Sequence, residues 1–140
     1  MILHAGLVAA HLRGSWRGAL IEGPAGAGKS DLALRALQIG LRLVADDRVI
    51  TWTSGGALYG RAPDSLAGQM EIRGLDVVGQ PALARCRISL WVRCGAPDRL
   101  PDPKAVDHLG LQIPLITLAP LEASAPAKLF HALQHLGGNA

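Results

Sequence analysis

Residues 23–30 read Gly23-Pro24-Ala25-Gly26-Ala27-Gly28-Lys29-Ser30 and match the pattern G-x-x-x-x-G-K-S in full. An apolar strand, predicted at Gly18 to Glu22, precedes this segment, and a helical pattern follows it. In that setting the glycines let successive backbone N–H groups point inward at phosphate oxygens, and the helix directs its positive end at the same anion. We expect Lys29 to neutralise charge on the β- and γ-phosphates and the Ser30 hydroxyl to ligate Mg²⁺. The segment therefore predicts a binding site for a nucleoside triphosphate.

The rest of the chain predicts an α/β domain with a mixed sheet and few helices. Ile2 to Leu12 is expected to pair with Gly18 to Glu22 through a turn at Arg13-Gly14-Ser15. After the loop, a helix is predicted because Leu32, Ala33, Ala36 and Leu37 recur at the helical period, and Gly40 is its expected end. Further strands are predicted at Leu43-Val44-Ala45, Val49 to Thr53, Ala57 to Gly60, Met70-Glu71-Ile72, Ile88 to Val92 and Ile113 to Leu118.

Three segments complete this prediction. A short helix is expected after Pro63, and an amphipathic helix from Ser124 to Leu136 with Ser124 as its N-cap. The segment from Ala96 to Asp107, rich in Pro and Asp, is expected to be a loop. Since no linker or repeat divides the chain, residues 1–140 are expected to form a single domain.

The composition excludes several classes of protein. Apolar residues make up 49% and charged residues 18% of the 140 residues, which excludes an intrinsically disordered chain. No apolar run reaches the ~18–20 residues that span a bilayer, and no signal-peptide pattern is present, so we expect a soluble, cytoplasmic protein with no membrane partner. The net charge is +3, but the arginines are scattered and only five residues are aromatic. A nucleic-acid platform needs clustered positive charge and stacking rings, so no nucleic-acid partner is expected.

The two cysteines are expected to be free thiols in a reducing compartment. Cys86 and Cys94 lie at an even separation on one predicted strand, so strict alternation places both side chains on the same face. Eight extended residues span ~26 Å, which is too far for a disulfide.

An acid pair follows the strand after the helix. A carboxylate at the end of a neighbouring strand is where a P-loop NTPase holds its metal, and Asp46 and Asp47 occupy that place. Consecutive residues of a strand face opposite ways, so the two carboxylates cannot do the same task. One of them is expected to hold Mg²⁺ through water and the other to accept the proton of an incoming hydroxyl.

Two other residues remain ambiguous when they are judged by their neighbours alone. Glu71 is one of three glutamates, and it fits a second metal ligand as well as an ordinary surface pair with Arg73. His4 has apolar neighbours, which favours a histidine packed in the core.

Four segments together resemble the catalytic domain of the bacterial HPr kinase/phosphorylase family. They are Leu3-His4-Ala5-Gly6, the P-loop, Leu43-Val44-Ala45-Asp46-Asp47 and Glu71-Ile72-Arg73-Gly74-Leu75. The resemblance covers roughly residues 2 to 95 and implies the fold of the nucleotide-binding region of phosphoenolpyruvate carboxykinase. It implies an enzyme that uses ATP and Mg²⁺ to phosphorylate a serine of HPr, the phosphocarrier of the sugar phosphotransferase system, in a signalling role. The family also removes that phosphate by phosphorolysis, and it assembles as homo-oligomers.

The resemblance also implies roles for individual residues. Lys29 would contact the β- and γ-phosphates, while Ser30 and Glu71 would ligate Mg²⁺. Asp47 would be the base toward the serine hydroxyl, with Asp46 beside it as a partner of the metal and its water. His4 would be the family's histidine next to the site, so the resemblance favours a functional role for it.

The sequence departs from the family pattern in four ways. The motifs begin at residue 3, as in a short form without the family's N-terminal domain, and the family's His-Gly becomes His4-Ala5-Gly6. The late catalytic arginine in a P-G-R context is absent, and Lys128, in Pro126-Ala127-Lys128, is its nearest substitute. Lysine keeps the charge but lacks the planar bidentate fork of arginine. The segment that the family uses for phosphorolysis is also shortened, so the kinase direction is favoured.

Three other functions share part of the sequence pattern of an HPr kinase. A small GTPase is excluded because D-x-x-G at Asp76 is a weak match and no N-K-x-D follows. A small-metabolite kinase shares the P-loop and the strand-end acid, and phosphorylation of a small alcohol would distinguish it. A nucleotide-binding regulatory sensor would fit the missing arginine, but the intact acid pair favours chemistry.

Overall fold

The computed structural model describes residues 1–137, which form two α-helices and eleven β-strands. The elements are β1 Ile2–Leu3, β2 Ala5–Leu12, β3 Ser15–Glu22, α1 Lys29–Gln38, β4 Arg42–Ala45, β5 Val49–Ser54, β6 Ala57–Arg61, β7 Gln69–Ile72, β8 Asp76–Gly79, β9 Cys86–Cys94, β10 Lys104–His108, β11 Leu111–Leu118 and α2 Ala125–Leu136. A short 3-10 helix, Asp64–Leu66, follows Pro63 as predicted. The prediction of an α/β fold with a mixed sheet and few helices is confirmed.

The main sheet has nine strands. Seven of them follow the order β1-β5-β6-β9-β3-β2-β4. On the edge of β9 that faces away from β3, β6 pairs with the start of β9 and β11 with its end, and β10 pairs with β11. Strand β3 runs parallel to β9, and β9 runs parallel to β11. Strand β2 is antiparallel to both β3 and β4, so β4 points the same way as β3. The ends of β3, β4, β9 and β11 therefore meet at one edge of the sheet, where β2 begins. We call this the carboxyl edge.

The core lies on both faces of the sheet. On the helix-covered face, α1 buries Leu32, Ala33 and Ala36, while α2 buries Leu129 and Leu133. The buried residues of α1 are therefore among those from which the helix was predicted. On the opposite face, the cluster is formed by strand residues that include Leu7, Leu20, Ile88 and Trp91. Within residues 1–137, neither helix has the length and apolar character that crossing a bilayer requires.

A β-bulge in β9 makes one sequence prediction wrong. Gly18 pairs with Ile88 and Ala19 pairs with Leu90, so Ser89 is an extra residue in β9. An extra residue exchanges the two faces for everything after it. Cys86 consequently packs on the opposite face and Cys94 against the helix-covered face, not on one face as strict alternation predicts. Both thiols are free.

Two strand predictions are corrected at the sheet edges. The segment predicted as one strand from Ile2 to Leu12 is divided at His4, because β1 pairs with β5 whereas β2 pairs with β3 and β4. The predicted loop from Ala96 to Asp107 contains most of β10, which pairs antiparallel with β11. This strand was not predicted because its sequence is polar and lacks an apolar alternation; it forms through pairing with β11.

Two further predictions are corrected in the second half of the chain. Strand β8 was not predicted, and it pairs with β7 in a separate two-stranded sheet. Ser124 stands at the N-cap position of α2 but makes no side-chain capping hydrogen bond there, because its backbone is already helical (φ −83°, ψ −3°).

Candidate functional site

The P-loop connects the end of β3 to the start of α1 at the carboxyl edge. The loop is closed by a hydrogen bond from the Ala27 N–H to the Pro24 carbonyl (3.1 Å), and α1 starts at Lys29. Gly28 has φ +105°, and a Cβ at this residue would lie 3.0 Å from Cδ2 of Leu121. Glycine is therefore required here both by the backbone conformation and by the approach of the 119–122 loop. This arrangement leaves the N-terminus of α1 facing the space above the loop, where an anion is stabilised.

Lys29 lies across this loop and is held by neutral acceptors. Its Nζ donates to the carbonyls of Gly23 (2.7 Å) and Pro24 (3.1 Å), and the residues described by the structure place no carboxylate within ion-pair distance of it. The positive charge is thus held at the loop without being neutralised. It is available to an anionic ligand.

The two aspartates after β4 contact different partners. Asp46 is buried, with 7% of its surface exposed, and it accepts hydrogen bonds from the Ser30 hydroxyl (2.9 Å) and from the Glu71 backbone N–H (3.2 Å). Asp47 is exposed and has φ +71°, a left-handed conformation that Asp tolerates better than most residues. Its carboxylate contacts Nε2 of His4 (2.7 Å) and Nη1 of Arg48 (3.0 Å). The turn therefore directs one carboxylate to the P-loop and the other to His4.

His4 is a surface residue and not the packed core histidine that its neighbours alone favour. About half of its side chain is exposed (52%). Its position follows from register, since Ala5 pairs with Glu22 at the end of β3 and Leu7 pairs with Ala45 at the end of β4. The residue before β2 therefore lies beside the residues after β4.

Glu71 lies on β7 and is exposed. Its backbone is tied to Asp46, while its carboxylate forms no ion pair or side-chain hydrogen bond with the residues that the structure describes. The predicted alternative of a surface pair with Arg73 is therefore wrong. The Glu71 carboxylate is exposed, and the backbone N–H of the same residue contacts Asp46.

The donor set around Asp46 fits Mg²⁺ bound together with a nucleotide. The Ser30 hydroxyl and the Asp46 carboxylate supply hard oxygen donors, which are the ligands that Mg²⁺ prefers, and the exposed Glu71 carboxylate is a further candidate. In residues 1–137 no group of three or more His, Cys, Asp or Glu is arranged to hold a metal by itself. Mg²⁺ commonly keeps several waters and binds through one or two carboxylates plus substrate phosphates, so such a group is not required.

Lys128, the predicted substitute for an arginine, does not contact the P-loop or the acid pair in this structure. Its Nζ forms an ion pair with Oε2 of Glu122 (3.1 Å). Glu122 belongs to the 119–122 loop after β11, so Lys128 lies on the far side of the P-loop relative to Asp47.

A cavity and the arginine that shapes it were not predicted from the sequence. The cavity, of about 550 Å³, is lined by Ala27, Cys94, Gly95, Ala96 and residues 119–122. We call it the β9–β11 pocket, because the residues after these two strands form it. Arg35 of α1 donates to the carbonyls of Pro120 and Glu122, which ties the loop to the P-loop helix. The sequence could indicate this pocket only through the strands that end beside it. That requires knowing that β9 and β11 run parallel to β3, which the sequence pattern does not specify.

Burial and charge act in opposite directions on the thiol in this pocket. Burial raises the pKa of Cys94, and the nearby ammonium of Lys29 opposes this by lowering it. The thiol is therefore mainly protonated at neutral pH and reacts slowly.

Comparison with known proteins identifies the family of this chain. The model of the HPr serine kinase C-terminal domain family matches residues 4–83, which is more than half of the chain and includes His4, the P-loop, the acid pair and Glu71. The chain belongs to this family. Curated relatives of the HPr kinase family include the HPr kinase/phosphorylase of Xanthomonas campestris pv. campestris, which is 35% identical over 137 residues, or 85% of this chain and 43% of the relative. The HPr kinase/phosphorylase of Clostridium novyi is 34% identical over 105 residues, or 69% of this chain and 34% of the relative.

A solved structure shows the same fold. The Hpr(Ser) kinase/phosphatase from Coxiella burnetii superposes with a TM-score of 0.79 at 22% identity, over 95% of this chain and 93% of that chain. The curated relatives are longer, and this chain spans only about two-fifths of the length of the Xanthomonas relative.

Proposed function

We propose that this chain is the catalytic domain of an ATP- and Mg²⁺-dependent kinase that phosphorylates a seryl hydroxyl of an HPr-type phosphocarrier protein. The observation that carries the proposal is the division of the acid pair. Asp46 links the P-loop serine to Glu71, while Asp47 faces His4. A metal-holding carboxylate and a separate carboxylate for proton transfer are the two acids that phosphoryl transfer to an alcohol uses.

The P-loop side of the site would bind and neutralise the triphosphate. The backbone N–H groups of residues 23–28 and the N-terminus of α1 would hold the β- and γ-phosphates, with Lys29 moving from the Gly23 and Pro24 carbonyls to the phosphate oxygens. Ser30, Asp46 and Glu71 would hold Mg²⁺, which when bound neutralises charge that develops on the phosphate oxygens.

Asp47 would act on the acceptor. The seryl oxygen forms a bond to the γ-phosphorus, the bond to the β,γ-bridging oxygen breaks, and the seryl proton passes to the Asp47 carboxylate as ADP leaves. His4, at 2.7 Å, orients that carboxylate and, with Arg48, keeps it in place beside the site. Much of the rate enhancement would come from positioning and from fixed positive charge.

The proposal gives the reverse reaction a smaller role. The relatives' name includes phosphorylase, and phosphorolysis would need inorganic phosphate bound at the P-loop with Asp47 returning the proton. Lys128 pairs with Glu122 and does not contact the P-loop, so it does not replace the late arginine of the family there, and we favour the kinase direction for that reason. A homo-oligomer is also proposed, and light scattering on the purified chain tests it.

The test mixes the purified protein with labelled ATP, Mg²⁺ and a bacterial HPr, and locates the label by mass spectrometry. We expect phosphoserine on HPr, and we expect it to disappear in Lys29→Ala. Lys104→Ala is the matched control, because Lys104 is an exposed lysine of β10 outside the site. Adding inorganic phosphate and measuring pyrophosphate then tests the reverse reaction. If several HPr proteins remain unlabelled while ATP is bound, the kinase proposal fails and a nucleotide sensor or a kinase for a small alcohol takes its place.

A further inference from the structure

Arg48 is a partly exposed arginine whose guanidinium is only half used by the contacts described above. Its Nη1 donates to the Asp47 carbonyl (3.0 Å) and to Oδ2 of the Asp47 carboxylate (3.0 Å). Within residues 1–137, Nη2 and Nε have no acceptor, and 42% of the side chain is exposed. A guanidinium is one rigid plane with five N–H donors, so the unused donors lie next to the same carboxylate. Arg48 therefore has an open donor edge beside the proposed base.

The charges of the site indicate what this edge would bind. Asp46 and Asp47 are both carboxylates, and only Asp47 lies on the side that the acceptor approaches. Phosphoryl transfer brings the γ-phosphoryl group toward Asp47 and leaves a phosphoseryl group of nearly two negative charges beside it. Like charges at such short range repel each other. A cation on the Asp47 side is therefore needed to stabilise the phosphoryl group as it moves there.

The other cations of the site lie elsewhere. Lys29 contacts the Gly23 and Pro24 carbonyls, on the side where the diphosphate would leave. Lys128 is paired with Glu122 on the far side of the P-loop. Among the lysines and arginines of residues 1–137, Arg48 is the one whose side chain contacts the Asp47 carboxylate.

We infer that Arg48 is a catalytic residue that binds the phosphoryl group on its acceptor side, during transfer and afterwards as phosphoserine. This inference rests on the proposed function. The seryl oxygen bonds to the γ-phosphorus, the bond to the bridging oxygen breaks and the seryl proton passes to Asp47, while Arg48 stays protonated and forms hydrogen bonds only. Its planar fork fits two phosphoryl oxygens at once. Because Nη1 can remain on Asp47, one side chain holds both the base and the group that is transferred.

Orthovanadate titrated into protein saturated with MgADP tests this contact without an acceptor protein, because vanadate takes the place of the transferred phosphoryl group. Arg48→Ala should weaken vanadate binding about tenfold or more, since hydrogen bonds to a charged group are lost. The affinity for MgADP alone should change less than about twofold, because the P-loop and Lys29 hold the diphosphate. Arg48→Lys keeps the charge without the fork and should give an intermediate loss.

Arg61→Ala is the matched control for both measurements. Nη1 of Arg61 also donates to a backbone carbonyl, that of Ala62 (3.1 Å), and to the carboxylate of Asp64 (3.1 Å). Its side chain is 39% exposed, and these partners lie outside the P-loop and the acid pair. We expect this variant to bind vanadate as the wild type does.

A second measurement compares HPr with its serine-phosphorylated form. Arg48→Ala should weaken binding of phosphorylated HPr about fivefold or more and leave unphosphorylated HPr nearly unchanged, because the guanidinium contacts the phosphoryl group. The kcat for transfer to HPr should fall about 10- to 100-fold, the scale of one lost donor to the developing charge. Equal weakening of both forms of HPr would show that Arg48 binds another part of the acceptor, and would overturn the inference.

The outcomes distinguish this inference from the proposed function. A fall in kcat with unchanged vanadate affinity would show that Arg48 only orients Asp47, and transfer at the wild-type rate would remove it from the reaction; either result overturns the inference although HPr is phosphorylated. Failure of the wild type to bind vanadate with MgADP overturns it as well. Vanadate binding that depends on Arg48, with no phosphate transferred to HPr, would support the phosphoryl contact and reject HPr as the acceptor.

Discussion

The hydroxyl of Ser30 lies 2.9 Å from Oδ1 of Asp46, and this buried carboxylate accepts a second hydrogen bond, at Oδ2, from the Glu71 N–H. One side chain thereby connects the P-loop helix, the end of β4 and the β7–β8 hairpin. These segments are separated by 16 and 25 residues along the chain. The same carboxylate is the proposed support of the metal, so structure and metal binding depend on one residue.

Asp46→Asn should impair both of these roles. The amide keeps the shape but loses the charge, and its NH₂ group must face either the Ser30 hydroxyl or the Glu71 N–H. We expect binding of MgATP to weaken at least tenfold, with a smaller change for ATP without metal. The free energy of unfolding should fall by about 1–3 kcal/mol because two hydrogen bonds to a charged carboxylate become hydrogen bonds to a neutral amide. Calorimetry with and without Mg²⁺ measures the ATP affinity, and urea denaturation measures the free energy of unfolding. If Mg²⁺ increases the ATP affinity of the variant as much as that of the wild type, Asp46 does not support the metal.

Asp47→Asn should affect turnover alone. The residue is exposed and acts on the acceptor, so we expect ATP affinity and stability to remain while phosphate transfer falls about 100-fold or more. Single-turnover transfer to HPr measures this. Asp102→Asn is the control, since Asp102 is an exposed aspartate in the loop between β9 and β10. Transfer at the wild-type rate would exclude Asp47 as the base.

His4→Ala should slow transfer without weakening ATP binding, because His4 positions the Asp47 carboxylate and does not contact the P-loop. A decrease in kcat of about tenfold or more is expected, which is the scale of a misplaced catalytic group. Steady-state kinetics and ATP titration separate the two parameters. His131→Ala, an exposed histidine of α2, controls for the general effect of removing an imidazole. A loss of ATP affinity equal to the loss of kcat would contradict the positioning role.

Gly18→Ala tests the packing where β3 meets β9. A Cβ there would lie 2.6 Å from Sγ of Cys86 and 2.9 Å from the Arg87 carbonyl, and the backbone oxygen cannot move aside without disturbing the sheet. Overpacking of this kind costs about 1–3 kcal/mol. Urea denaturation should show that decrease, whereas Gly79→Ala, where nothing lies within 4 Å, should change stability little. Similar stability for both variants would mean that the sheet adapts locally.

His108 makes stability depend on pH. Burial lowers the pKa of its imidazole, the amino group of Met1 adds to this, and Nε2 lies 3.0 Å from the Thr51 hydroxyl. Glu22 and Asp107 oppose the shift. Because the folded pKa is below the unfolded value of about 6.5, the unfolded chain binds the proton more readily.

The unfolding free energy should therefore be highest above about pH 6.5 and decrease as the pH falls through the folded pKa. His108→Gln removes this contribution, so the stability difference between wild type and variant should shrink as the pH is lowered from 8 to 5. Denaturation at a series of pH values measures it. A difference that stays constant would show that His108 does not titrate differently in the folded state.

The parts of this fold that the sequence predicts are those that depend on near neighbours. The P-loop, α1 and the strand before Asp46 follow from local spacing. The two aspartates do have different partners, but the reason is the turn with Asp47 at φ +71° after β4 ends at Ala45, and not the strand alternation used to predict it. The exposure of His4 depends on the register of β2 against β3 and β4, which no local pattern specifies. Strand β10 and the β9–β11 pocket likewise depend on partners that are distant along the chain.

The bulge at Ser89 has a consequence for how this chain tolerates insertions and deletions. Removing that one residue would restore strict alternation in β9 and exchange the faces of all residues after it, so that Leu90 and Val92 would leave the helix-covered face. Cys94 would leave the helix-covered face as well. By contrast, adding or removing a residue in the exposed 97–103 loop would change only the length of a connection. We therefore expect evolution to tolerate deletion of the Ser89 codon far less than deletion of a codon in the nearby loop.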